Sequence, residues 1–122
     1  MTDKNASATT PEAVHQYETT KPLLAAMLDD LRKLAAKKTE VTLSRQKVDL
    51  INRLLSDLKN LLANEPESKY LDLLTDDVLP QYSDAVLVLS QYGAALESFY
   101  NRHCPNSDEF GFQRAWVFED GE

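Results

Sequence analysis

The sequence predicts an all-α protein: an antiparallel bundle of three long helices plus one or two short ones, followed by an extended aromatic C-terminal segment. Three observations predict it. Leucine and other apolar residues recur at three- and four-residue steps over most of residues 24–62 and again over 85–100. Helix-starting Thr-Pro and Ser-Asp pairs and helix-stopping prolines punctuate these runs. Only three glycines occur, and only one stretch alternates in a two-residue rhythm.

Taken in order, residues 1–10 lack apolar periodicity and are expected to form a disordered lead-in. Thr10-Pro11-Glu12 then opens a helix. The Thr side chain accepts a free N–H, Pro occupies a position where its missing N–H costs nothing, and the acid meets the positive end of the helix. This first helix is expected to be short, about residues 11–18, because Pro22 removes a backbone hydrogen bond and clashes with the preceding turn. Thr20-Lys21-Pro22 should open a second helix whose stripe is Leu24, Met27, Leu28, Leu31, Leu34 and Ala35, ending at Lys37 and Lys38.

The β-branched link Thr39-Glu40-Val41-Thr42 has poor helix propensity and favours a hairpin into the next helix. From about Ser44 to Ala63, Val48, Ile51, Leu54, Leu55, Leu58, Leu61 and Leu62 line one face. Asn64-Glu65-Pro66 stops that run. Tyr70, Leu71, Leu73 and Leu74 predict one or two helical turns over 68–74 that plug a gap between longer helices. A last long helix, about 83–103, carries Ala85, Leu89, Tyr92, Leu96 and Phe99 on its buried stripe. Gly93 costs about 1 kcal/mol there relative to Ala, which suggests a close helix crossing. Beyond Pro105, Phe110, Phe112, Arg114, Trp116 and Phe118 alternate with smaller residues in the period of a strand that has no partner strand elsewhere. The domain reading is therefore a lead-in at 1–10, a helical bundle at 11–104 and an extended segment at 105–122, packed on the bundle or on a partner.

Charge is divided along the chain. Residues 21–64 carry nine Lys/Arg against five Asp/Glu, whereas 65–122 carry three against twelve, within a net charge of −7. The two regions, +4 and −9, can attract each other within one molecule, between two copies, or each an outside partner of opposite sign. The overall negative charge disfavours a general nucleic-acid coat, since phosphate binding needs a basic footprint. A single cysteine, Cys104, excludes an intrachain disulfide and a four-ligand zinc cluster. No apolar run approaches the roughly 18 residues that a membrane span needs. These features are those expected of a cytoplasmic protein with no membrane association and no cofactor.

Candidate chemistry is sparse. His103-Cys104 pairs a base with a nucleophile, but neighbours on a helix point about 100° apart. His15 adds a third metal ligand only arithmetically. Asp76-Asp77, with Asp72 and Asp84 nearby, lacks the Gly and terminal Glu of an EF-hand loop and is read as a capping turn. Arg32, Lys33, Lys37, Lys38, Arg45, Lys47, Arg53 and Lys59 could form a basic face on the 21–64 hairpin, but no aromatics are interleaved for base stacking. No phosphate-cradling glycine loop, GxSxG, HExxH or CxxC occurs.

The expectation is a non-enzymatic protein–protein interaction module: an adaptor, regulatory subunit or neutralising partner. It would act through its acidic second half and aromatic segment, with Phe110, Phe112, Trp116, Phe118, Asp76 and Asp77 as partner-binding residues, or by self-association into a homodimer. The alternatives are a nucleic-acid-binding protein using the basic hairpin, and a small metal- or thiol-dependent enzyme.

Overall fold

The computed structural model describes residues 8–38, 41–105 and 115–119. Three α-helices account for most of them: α1 (Pro11–Lys37), α2 (Arg45–Leu61) and α3 (Tyr82–His103), with a short 3-10 helix at Pro66–Tyr70. Strands are absent among the described residues. Two isolated bridges, Thr9 with Phe118 and Thr42 with Gln81, are the only β-type pairings among them. The all-α class follows directly from the three apolar stripes, each of which needs another helix to cover it.

The chemistry of the caps explains the helix starts. Thr10 Oγ1 accepts from the Ala13 N–H at 3.1 Å, with Pro11 in the first turn. Ser44 Oγ accepts from the Lys47 N–H at 3.2 Å. At α3 the start falls one residue earlier than Ser83. Gln81 is the cap, and its N–H donates to Asp84 Oδ2 at 3.0 Å, so Asp84 closes the turn from inside the helix.

The expected break before Pro22 does not occur, and α1 runs continuously through it for 27 residues. Val14, Tyr17 and Thr20 on one side of Pro22 and Leu24 and Leu31 on the other are all buried. One unbroken stripe thus packs along α3, and its burial outweighs the roughly 3 kcal/mol that an interior proline costs. Pro22 and Glu18, whose carbonyl loses its helical donor, both lie on the exposed face, where water can take the donor's place. Thr19 and Thr20 hydroxyls donate back to the His15 and Gln16 carbonyls at 2.9 and 2.7 Å in the same region.

Contacts between helices give their directions. Tyr17 stacks on Phe99 and Tyr100 at 5.7 and 5.8 Å, while Arg32 reaches Ser90 at 3.5 Å, so α1 and α3 are antiparallel. Gln16 Nε2 reaches the Asp57 carbonyl at 3.5 Å, so the start of α1 lies by the end of α2. The starts of α2 and α3 lie together through Lys47 and Tyr82, and their far ends through Glu65 and Arg102. Hence α1 is antiparallel to both other helices, whereas α2 and α3 run parallel and need a connection that returns the full length of the bundle.

Residues 62–81 make that return. The helical turns expected over 68–74 are present only as far as Tyr70, in the 3-10 helix, and the chain at 71–74 leaves helical geometry. Its gap-filling role is nonetheless visible, because Leu71 and Leu74 are buried in the core while Leu73 and Tyr70 face out. Extended backbone must find partners for its N–H and C=O groups. The Asn52 side chain supplies both kinds, donating to the Leu74 carbonyl and accepting from the Leu74 N–H, each at 2.8 Å. Lys59 donates to the Leu71 carbonyl at 2.7 Å, and the Tyr92 hydroxyl donates to the Asp72 carbonyl at 2.9 Å. The return ends where Leu43 N–H donates to the Pro80 carbonyl and Tyr82 N–H to the Val41 carbonyl.

The C-terminal residues 115–119 lie over the end of the bundle. Val117 N–H donates to the His103 carbonyl, Thr9 N–H to the Val117 carbonyl, and Glu119 N–H to the Thr9 carbonyl, each at 2.8 Å. Thr9, expected in a disordered lead-in, is instead buried because this pairing covers it. Residues 1–7 lie outside the described residues.

Candidate functional site

The stripes of α1 and α2 are wider than the core that receives them. Leu31, Leu43 and Ile51 are buried, but Leu23, Leu34 and Leu50 are 55%, 40% and 54% exposed. All six line one open groove between α1 and α2, with a volume of about 610 Å³. Met27 and Leu54 complete its apolar walls, and four charged residues edge it: Asp30 on α1, and Lys47, Arg53 and Asp57 on α2. Exposed leucines gathered in a concave, apolar setting are of the kind found where proteins meet partners, membranes or ligands, in contrast to apolar residues scattered singly over a protein. A groove between two helices suits an amphipathic helix whose anchors recur at i, i+3, i+4 and i+7.

This groove was not singled out from the sequence. A signal was present in Leu23 and Leu50, which lie outside the single stripe of each helix and imply a second apolar face.

The sequence-predicted site residues are scattered. Trp116 is partly buried in an aromatic cluster, 5.4 Å from Tyr17, 5.6 Å from Tyr100 and 6.1 Å from Phe99 between ring centroids. Phe118 is about half exposed beside Thr9. Asp76 and Asp77 are exposed on the return segment, with Asp76 Oδ2 3.6 Å from Arg45 Nη1. Phe110 and Phe112 lie outside the described residues.

His103 and Cys104 are both buried at the end of α3. The imidazole Nε2 lies 3.0 Å from Glu65 Oε2, and the ring packs 4.6 Å from that of Phe99. Arg102 pairs with Glu65 Oε1 and, at 3.0 Å, with Glu67 Oε2. Its guanidinium holds the Glu67 carboxyl below the usual carboxylate range, and the two carboxylates in turn raise Arg102 further. Arg102, His103, Glu65 and Glu67 thus clasp the end of α3 to the segment that follows α2. Among the described residues, no group of three or more His, Cys, Asp or Glu could hold a metal ion, so His15 is not brought into such a set with His103 and Cys104.

Five of the basic residues of 21–64 have separate partners. Arg32 reaches Ser90, Lys33 pairs with Asp29 at 3.1 Å, Arg45 lies near Asp76, Lys47 donates to the Tyr82 hydroxyl and Lys59 to the return segment. Lys33 is raised by its hydrogen bond to Asp29. No helix is long and apolar enough to cross a membrane among the described residues. No protein-family model, curated protein or solved structure matches the chain.

Proposed function

We propose that this chain is a non-enzymatic protein–protein interaction module, of the adaptor, regulatory-subunit or neutralising-partner kind, and that it engages its target through the groove between α1 and α2. The observation that carries this reading is the convergence of the half-exposed Leu23, Leu34 and Leu50 on one concavity floored by buried Leu31, Leu43 and Ile51. Covering one such side chain contributes roughly 1.5–3 kcal/mol when its burial is complete, so a few anchors suffice for a specific complex. The acidic second half and the aromatic segment become secondary contributors. Trp116 already packs on Tyr17, and Asp76 already lies near Arg45, while Phe118 and Asp77 are exposed.

The test uses a photo-cross-linking residue in place of Leu34 or, as a control, of the exposed Leu87 on α3, in the native lysate. Cross-linked proteins obtained from position 34, absent from position 87 and lost when Leu50→Asp is added, are the expected result. The same pattern from both positions would remove the groove as the recognition surface.

A further inference from the structure

We infer that the occupant of this groove is a second copy of the chain, the two grooves closing face to face into a four-helix layer built from α1 and α2 of each copy. This inference rests on the docking role proposed above and names the partner.

The argument is one of charge and shape. The α1 wall carries one acid, Asp30, and the α2 wall two bases and one acid, Lys47, Arg53 and Asp57. The walls therefore bear −1 and +1, and the edge as a whole is neutral. A neutral edge offers little to a strongly acidic or strongly basic helix. It is, however, complementary to itself. A two-fold axis running along the groove places the α1 wall of each copy over the α2 wall of the other, so that −1 faces +1 twice, and every stacked helix pair is antiparallel. An axis across the groove would instead put α1 over α1 and α2 over α2, like charge on like charge. The self-complementary arrangement also brings Leu23, Leu34 and Leu50 of one copy against those of the other.

Salt separates this dimer from one held by attraction between the +4 and −9 regions. Each copy carries −7 overall, so the copies repel at long range while their leucines attract at contact. Added salt screens the repulsion. Association through the groove therefore tightens or holds between about 0.05 and about 0.5 M salt, whereas a charge-driven dimer weakens.

Sedimentation equilibrium on the full chain tests the proposal. The wild type is expected to be a reversible dimer. Leu34→Asp and Leu50→Asp, both at half-exposed positions that leave the core intact, should weaken it at least about tenfold, with helical circular dichroism unchanged. Leu87→Asp on α3 should leave it as it was. At low salt, Asp30→Lys should weaken the dimer several-fold although it lowers the repulsive net charge to −5, and adding Arg53→Glu should restore it at the original −7. A monomeric wild type at several hundred micromolar, equal damage from Leu87→Asp, or a tighter dimer in Asp30→Lys would each overturn the inference. If the wild type is monomeric but position 34 still cross-links a different protein that Leu50→Asp loses, the second copy is wrong and the docking role stands. If that cross-link is absent too, both fall.

Discussion

Two side chains on α3 show how local chemistry and tertiary surroundings can part company. Gly93 was expected to allow a close crossing, yet a Cβ built there meets nothing within 4 Å. The backbone freedom of glycine therefore costs helix stability without a packing return, and Gly93→Ala should stabilise the fold by about 1 kcal/mol, raising Tm by about 4 °C in a calorimetric scan. Immediately before it in the chain, Tyr92 is fully buried and its hydroxyl donates to the Asp72 carbonyl. Burial, and secondarily the Asp72 charge, push its phenol from 10.0 up to about 12. A folded value above the unfolded one means that this stabilising contribution is complete below pH 10.0 and is lost as pH rises towards about 12. Ultraviolet titration should therefore show one phenolate appearing only with alkaline unfolding. Tyr92→Phe should remove that step and cost about 1 kcal/mol at neutral pH.

At the scale of elements, the return segment 71–74 is held by side chains of helices and not by a strand. Asn52 satisfies both backbone groups of Leu74, as a neighbouring strand would, and Asn52→Ala leaves them partly buried without partners. The expected loss is about 2–3 kcal/mol in chemical denaturation, with proteolysis entering first near residues 71–79. Asn52→Asp keeps the acceptor but not the donor and should recover only part of the loss. The helices that frame this segment were largely legible. The stripes over 24–35, 48–62 and 85–99 are those that pack, apart from exposed Leu34, and the Thr10 cap follows from local chemistry alone. Pro22 was misleading because propensity is a per-residue cost, while the stripe spanning it is buried as a unit on α3. The turns expected over 68–74 stop at Tyr70 for the converse reason. Apolar density there reported burial correctly, but not the backbone shape, since a short apolar run fits a helix or an extended chain equally well.

Over the whole molecule, the opposed charges of the two regions meet, among the described residues, through exposed Arg45 and Asp76, whereas the clasp of Arg102 and His103 with Glu65 and Glu67 lies wholly within the acidic region. The exposed pair contributes little, roughly 0–1 kcal/mol. The clasp matters more because the Glu65 side chain is only 9% exposed. Arg102→Gln should lower stability at neutral pH by roughly 3 kcal/mol, since it leaves buried carboxylate charge poorly paired. Arg102 holds the folded Glu67 carboxyl below its unfolded 4.5, so this part of the stability is present above pH 4.5 and disappears as pH falls through the folded value. The difference between wild type and Arg102→Gln in urea melts should accordingly shrink on going from neutral pH to below the carboxylate range.

The sequence by itself determined that the described chain is helical, where its helices lie apart from the break expected at Pro22, and which leucines could be buried, because periodicity and caps are local consequences of backbone geometry. It also carried an excess of leucine on α1 and α2 that one core could not absorb. Only the tertiary structure decided which leucines stayed outside, that α2 and α3 run parallel across an extended return, and that Leu23, Leu34 and Leu50 share one groove. Those outcomes depend on how three helices divide the burial available among them, and that division is a property of contacts between residues far apart in the chain.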